Sequence, residues 1–267
     1  MNEPQTTEKH IQPPVPIMRL KHLQSALSSV STPQFPDPNI TLEQYATSPT
    51  LTSHIILAAL QNEDLGPELS MLDLGCGTAM LSIGAALVGC SSITCIDCDE
   101  SAMAVAIENV RDMGLEECDE DGEGACSVEF ILAKVNHSVS LGGGGGGGGG
   151  RGGKGNRGRG RGKGGKKGRG GRGGRDFRSN LPEQASSSLE PPQEMNSIKD
   201  GIPLASNCVD TVLTNPPFGT KHNAGIDVSF LRTAIRLARR SVYSFHKTST
   251  RSYLIKTVES WGYQVGF

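Results

Sequence analysis

The tract from Gly142 to Arg175 constrains this fold more than any other feature of the sequence. Nine consecutive glycines, Gly142 to Gly150, run into a stretch ending at Arg175 that holds 11 Lys and Arg and no acid. Neither part offers apolar side chains to bury, and glycine loses more conformational freedom on ordering than any other residue. A polar, Pro-containing stretch continues to about Pro203. A core must therefore be assembled from two separated pieces, residues 18–135 and 203–267. Residues 1–17 read as a disordered, Pro-rich start and 136–202 as a low-complexity Gly/Arg-rich insertion. The insertion also masks the charge balance. The chain has 26 basic and 28 acidic residues, but outside 151–175 it has 15 against 28, a net charge of −13. An acidic folded part carrying a flexible basic tether points to a polyanionic partner for the tether.

Each piece alternates strand and helix patterns. In the first, Leu20, Leu23, Leu27 and Val30 recur at helical spacing until Pro33, Pro36 and Pro38 break the chain. A helix is expected from Thr52 to Gln61, a strand ending at Asp73, a helix from Ala79 to Val88 and a strand from Ile93 to Asp97. Next come a helix capped by Ser101 and reaching Met113, and a strand from Val128 to Val135. Six acids within 116–123 read as a solvated loop. The second piece gives a strand from Val209 to Leu213 and a helix from Val228 to Arg239. It continues with a strand from Ser241 to His246, a helix from Thr250 to Trp261 and the start of a further strand at Tyr263 to Phe267. Such alternation predicts an α/β fold, a mostly parallel sheet with helices on both faces. Seven scattered cysteines suit a reducing compartment. No run is long enough to span a bilayer, and the N-terminus carries Pro, Glu and Gln where a leader would be basic and then apolar. The expected location is the nucleus or nucleolus and the cytoplasm, with no membrane partner.

Three motifs fall at predicted strand ends. Gly75 and Gly77 form a G-x-G turn between a strand and a helix, beside Asp73 and Thr78, so that a ligand can approach the backbone. The third glycine of the dinucleotide fingerprint is absent, which disfavours NAD. Asp97 closes the next strand 24 residues after Asp73, near the spacing at which an acid takes ribose hydroxyls. Asn215-Pro216-Pro217-Phe218 follows the Val209–Leu213 strand. The two prolines stiffen the loop. The Asn215 side-chain oxygen and the Pro216 carbonyl can accept both hydrogens of a planar amine, and Phe218 can stack on the ring that bears it. Taken alone, this tetrapeptide is equally a strand followed by a Pro-Pro turn, and the polar cluster 43–49 equally a helix entry. Cys95 and Cys98 form a C-x-x-C, but their odd separation places them on opposite faces of a strand and no second pair completes a zinc site, so no metal is expected. Three motifs meeting on one edge of a parallel sheet are explained together by a methyltransferase that uses S-adenosylmethionine.

The sequence resembles the methyltransferase-like protein five family, adenine methyltransferases of small-subunit (18S) ribosomal RNA. The resemblance rests on Glu-Gln-Tyr-x-Thr at 43–47, Asp-Leu-Gly-Cys-Gly at 73–77, Asn-Pro-Pro-Phe-Gly-Thr-Lys at 215–221 and Val-Tyr-Ser-Phe-His-Lys-Thr-Ser-Thr-Arg at 242–251. It implies a class I Rossmann-like methyltransferase fold, methyl transfer to N6 of an rRNA adenosine, and a small zinc-binding activator subunit as partner. It also implies that Gln44, Tyr45, Thr47, Gly75, Thr78 and Asp97 border the cofactor. Relatives commonly carry an acid after the third strand; here Lys134 and Val135 stand there, leaving backbone contacts to the cofactor's adenine. The resemblance also implies a final antiparallel hairpin, expected to be incomplete in this chain. Two other readings share these motifs: methylation of a glutamine side-chain amide or a guanine amine, and an RNA-binding protein with weakened catalysis.

Overall fold

The computed structural model describes residues 18–115, 126–136, 200–219 and 223–266. The acidic 116–123 loop, the Gly/Arg tract, Thr220 and Lys221 lie outside the described residues. All described residues belong to one compact unit, drawn from both pieces of the chain.

Its centre is a five-stranded parallel sheet in the order β3-β2-β1-β4-β5. The strands are β1 Ser70–Leu74, β2 Ser92–Asp97, β3 Ser127–Leu132, β4 Val209–Thr214 and β5 Ala238–Ser244. The helices are α1 Leu20–Leu27, α2 Pro49–Gln61, α3 Met80–Leu87, α4 Glu100–Asp112, α5 Ile226–Leu237 and α6 Arg251–Ser260. Period-two alternation divides the sheet between two cores. Met71, Ile93, Cys95 and Leu213 pack on the side of α1 to α4. Leu72, Leu74, Ile96 and Val212 pack against α5 and the chain around Val135 and Ile202. A third cluster joins Leu231 and Ile235 of α5 to Leu254 and Val258 of α6. The winding direction reverses between β1 and β4, paired with Asp73 beside Leu213. A crevice must open beyond that pair, since connections leave it in opposite directions.

Several boundaries differ from the sequence reading. The third strand stops at Leu132, because its partner β2 ends at Asp97, the register mate of Leu132; Lys134 and Val135 lie in the loop beyond. Asp99, not Ser101, caps α4, accepting from the Ser101 and Ala102 amides. α2 begins at Pro49, with the Ser48 hydroxyl accepting the Leu51 amide. β5 starts early, at Ala238, where the backbone turns extended directly from α5. Tyr263 to Gly266 form no strand; Tyr263 and Val265 pack instead against the α5–α6 cluster.

The flanks of the insertion are fastened together. The Asn136 amide donates to the Asp200 carbonyl at 2.7 Å. Gly201, at φ +86, lies so close to the Lys134 carbonyl that a Cβ there would collide with it. Asp200 also accepts a bidentate pair from Arg236, at 2.6 Å from Nε and 2.9 Å from a terminal nitrogen, with both residues buried. The same guanidinium donates to the Leu204 carbonyl at 2.7 Å. The second piece is thus engaged with the fold from Asp200, three residues before Pro203.

Candidate active site

A cleft of about 270 Å³ runs along the C-terminal ends of the strands, lined by residues of both pieces. Gln44, Tyr45, Thr47, Gly75, Gly77, Thr78, Asp97, Lys134, Val135, Asn215 and Pro217 all border it. Pro216 is buried behind its neighbours.

The turn after β1 is built from the sheet outward. Ala79, at the entry of α3, has no side chain to cap that helix. Asp73 serves instead from the strand beneath: its Oδ2 accepts the Ser82 amide at 3.2 Å and the Ser82 hydroxyl at 2.7 Å. Burial dominates these bonds and pushes the Asp73 carboxyl up to about 7. Its Oδ1 has no hydrogen-bond partner among the described residues. Gly77 adopts φ +55, and a Cβ there would fall 2.8 Å from the Phe35 ring. Phe35 belongs to a segment laid across the turn. Thr78 donates to the Pro33 carbonyl at 3.1 Å, and buried Asn109 ties the Thr78 and Thr32 carbonyls together.

Asp97 stands beside this turn. Its Oδ2 accepts the Gly77 amide at 2.9 Å, and its Oδ1 accepts the amides of Cys98 at 2.7 Å and Asp99 at 3.0 Å. Desolvation still raises its pKa, against the pull of those three amides. The carboxylate is locked in orientation, with lone pairs left for hydroxyl donors. Cys95 is buried within β2, whereas Cys98 lies exposed just beyond the end of that strand at Asp97.

Across the switch point, Thr214 donates its hydroxyl to the Leu74 carbonyl at 2.6 Å, pinning the end of β4 to the end of β1. Asn215 follows at once. Its Nδ2 donates to the hydroxyl of buried Thr47 at 3.0 Å. That bond occupies one end of the amide, and no hydrogen bond holds Oδ1 among the described residues. Thr47 therefore serves Asn215, a role the sequence reading did not give it. Gln44, also on the cleft wall, accepts the Asn39 amide and donates to Asp99, both at 2.7 Å. It braces the 39–47 loop against the start of α4. Phe218, expected to offer an open face, has the Tyr45 ring stacked on it at 5.5 Å and 25°, and the Lys247 ammonium 5.2 Å from its centroid. Phe35, Asp99, Asn109 and Lys247 were not picked out as site residues. Only Lys247 carried a sequence signal, through the 242–251 motif.

A rRNA N6-adenosine-methyltransferase METTL5 from Danio rerio is 30% identical over 244 residues, spanning 91% of this chain and 82% of the relative. Its Drosophila melanogaster counterpart is 31% identical over 248 residues, spanning 92% and 80%. The chain belongs to this METTL5 family. A family profile described as Ribosomal protein L11 methyltransferase (PrmA) matches residues 47–121. Among solved structures, a Pyrococcus horikoshii protein assigned as an RNA methyltransferase superposes with a TM-score of 0.56 at 22% identity, over 93% of this chain and 85% of that one. That likeness shows a shared α/β fold. In this family member the G-x-G turn, Asp97, and Asn215 and Pro217 of the N-P-P-F loop open on the same cleft, with Phe218 outside its lining.

The cleft fits S-adenosylmethionine on its own chemistry. The Gly75–Gly77 turn lets a ligand lie against the backbone, and the fixed Asp97 carboxylate suits a ribose diol.

Proposed function

We propose that this protein transfers the methyl group of S-adenosylmethionine to the exocyclic N6 amine of an adenosine in small-subunit (18S) ribosomal RNA. The Asn215–Thr47 hydrogen bond carries the reading, because it anchors the Asn215 amide in the cleft wall with Nδ2 on Thr47 and Oδ1 at the other end. The relatives named rRNA N6-adenosine-methyltransferases support adenosine as the base. When bound, the cofactor supplies an electrophilic sulfonium methyl whose positive charge disappears on transfer.

The remaining work falls to the chain's own residues. An adenine amine is a poor nucleophile because its lone pair is delocalised into the ring. Asn215 Oδ1 and the Pro216 carbonyl accept its two hydrogens, favour a more pyramidal nitrogen and aim it along the cleft. Asp97 accepts from the ribose hydroxyls. Gly75, Gly77 and Thr78 hold the backbone close to the ligand, with Lys134 and Val135 along its far side. The alkylated nitrogen is strongly acidic and gives its proton to water, so no strong base is needed. The target base must leave its stack to reach the cleft.

The small zinc-binding activator subunit is assigned to the open edge of β3. Among the described residues that strand pairs with β2 on one side only; an unpaired strand edge invites a second chain. The location follows as nucleus or nucleolus and cytoplasm, where ribosomal RNA is made and used.

The test is incubation of the protein and its activator with rRNA and S-adenosylmethionine, followed by nucleoside analysis. N6-methyladenosine supports the reading. Methyl groups found only on guanosine N2 or on a protein glutamine would overturn it.

A further inference from the structure

We propose that Tyr45 forms the second wall of the target-base site, so that the purine ring enters between Tyr45 and Phe218. This deepens the adenosine reading above and rests on it. Two residues of the 39–47 loop meet two residues of the N-P-P-F loop: Thr47 bonds to Asn215, and Tyr45 stacks on Phe218. The first contact sets the acceptor for the amine, and the second lies where the ring bearing that amine must go. Tyr45 is 44% exposed and borders the same cleft as Asn215 and Pro217. Burial and the nearby Glu43 charge both push its phenol upward, so the ring is neutral when it stacks.

The spacing suits a site that is closed on itself. The ring centroids lie 5.5 Å apart. A base held between two rings needs two stacking intervals of about 3.4 Å each, the rise of successive bases in a strand. The two rings already stack on each other, so a base entering between them must part them by about one such interval. The loop has a place to absorb that movement. Glu43 holds φ +53, an uncommon conformation for a side chain of its size. On either side of Tyr45 the loop is braced, by Gln44 on Asp99 and by Thr47 on Asn215. Displacement is thus confined to the aromatic ring and its immediate backbone. The Lys247 ammonium, 5.2 Å from the Phe218 centroid, holds that ring from a separate element.

Stacking accepts any base, so Tyr45 contributes affinity for a flat ring while Asn215 reads the amine. The experiment compares native protein, Tyr45→Ala and Tyr45→Phe, each with the activator, on rRNA at saturating cofactor. Tyr45→Ala should lower kcat/KM for RNA by about 5- to 160-fold, the range seen when one base-stacking ring is removed. Cofactor affinity, read separately by titration, should stay near native. Tyr45→Phe keeps the ring and should restore most of the loss. If Tyr45→Ala methylates rRNA as well as the native protein, the clamp is wrong while the adenosine reading stands. A parallel loss of cofactor affinity would place Tyr45 on the cofactor and also overturn the clamp. Native protein that methylates a glutamine peptide and no RNA would overturn both together.

Discussion

The Asn215 side chain donates its amide hydrogen to the Thr47 hydroxyl, 3.0 Å away, across 168 residues of sequence. This contact joins the cofactor-side piece of the chain to the catalytic loop. Without it the amide loses its anchor in the cleft wall. Thr47→Val keeps the volume and removes the acceptor, so it should lower kcat about tenfold, the worth of roughly one hydrogen bond. Cofactor affinity should change little, and Thr47→Ser should restore activity. A rise in cofactor Kd with kcat preserved would place Thr47 on the cofactor instead.

Asp73 gives a pH signature. Its folded pKa of about 7 lies above the ordinary value of 3.8. The folded state therefore holds a proton that the unfolded state releases. The stabilisation is complete below about pH 4 and is lost as pH rises toward 7, at roughly 1.4 kcal/mol per unit as an upper bound. Asp73→Asn removes this titration. The stability difference, native minus variant, measured by denaturant at pH 5 and pH 8, should favour the native protein more at pH 5. An equal difference at both would show that the carboxyl is ionised throughout.

The buried Asp200–Arg236 pair is a structural clasp at the exit of the insertion. Removing one partner strands the other charge in the core. Asp200→Ala should cost about 3–5 kcal/mol, visible as a lower denaturant midpoint. A loss below 1 kcal/mol would mean that the pair is open to solvent.

The basic tract yields a salt dependence. Residues 142–175 carry 11 positive charges, and the chain on either side of the insertion is joined at Asn136 and Asp200. Those flanks touch, so the tract can be deleted without stretching the fold. Its deletion should weaken RNA binding and flatten the slope of log affinity against log salt, with turnover of saturating RNA nearly unchanged. An unchanged slope would sink the tether reading.

Much of this was legible in the sequence, for identifiable reasons. β1, β2 and β4 are buried on both faces, so their apolar runs announce them, and the glycines and prolines that end them mark the cleft. The end of β3 was misplaced because Ala133 and Val135 continue the apolar pattern, whereas pairing stops with β2 at Asp97. Ser101 looked like a cap, but Asp99 sits two residues earlier with a carboxylate in reach. Asp73 as the cap of α3, Thr47 as the partner of Asn215 and Asn109 as the tie across the turn are tertiary contacts. Local spacing carries no trace of them. Tyr45 was visible as part of a motif, but its stacking on Phe218 depends on how two distant loops fold together.

The central claim is that the Asn215 oxygen acts on the amine, not on the cofactor. The direct measurement is single-turnover methylation of rRNA by native protein and Asn215→Ala, each with the activator, beside calorimetric titration of S-adenosylmethionine, with Asp97→Ala as the contrasting variant. The account predicts that Asn215→Ala loses N6-methyladenosine formation by at least about a hundredfold while cofactor affinity stays near native, and that Asp97→Ala loses cofactor affinity first. If Asn215→Ala lost cofactor binding and methyl transfer in equal proportion, or still formed N6-methyladenosine at the native rate, the account would be contradicted.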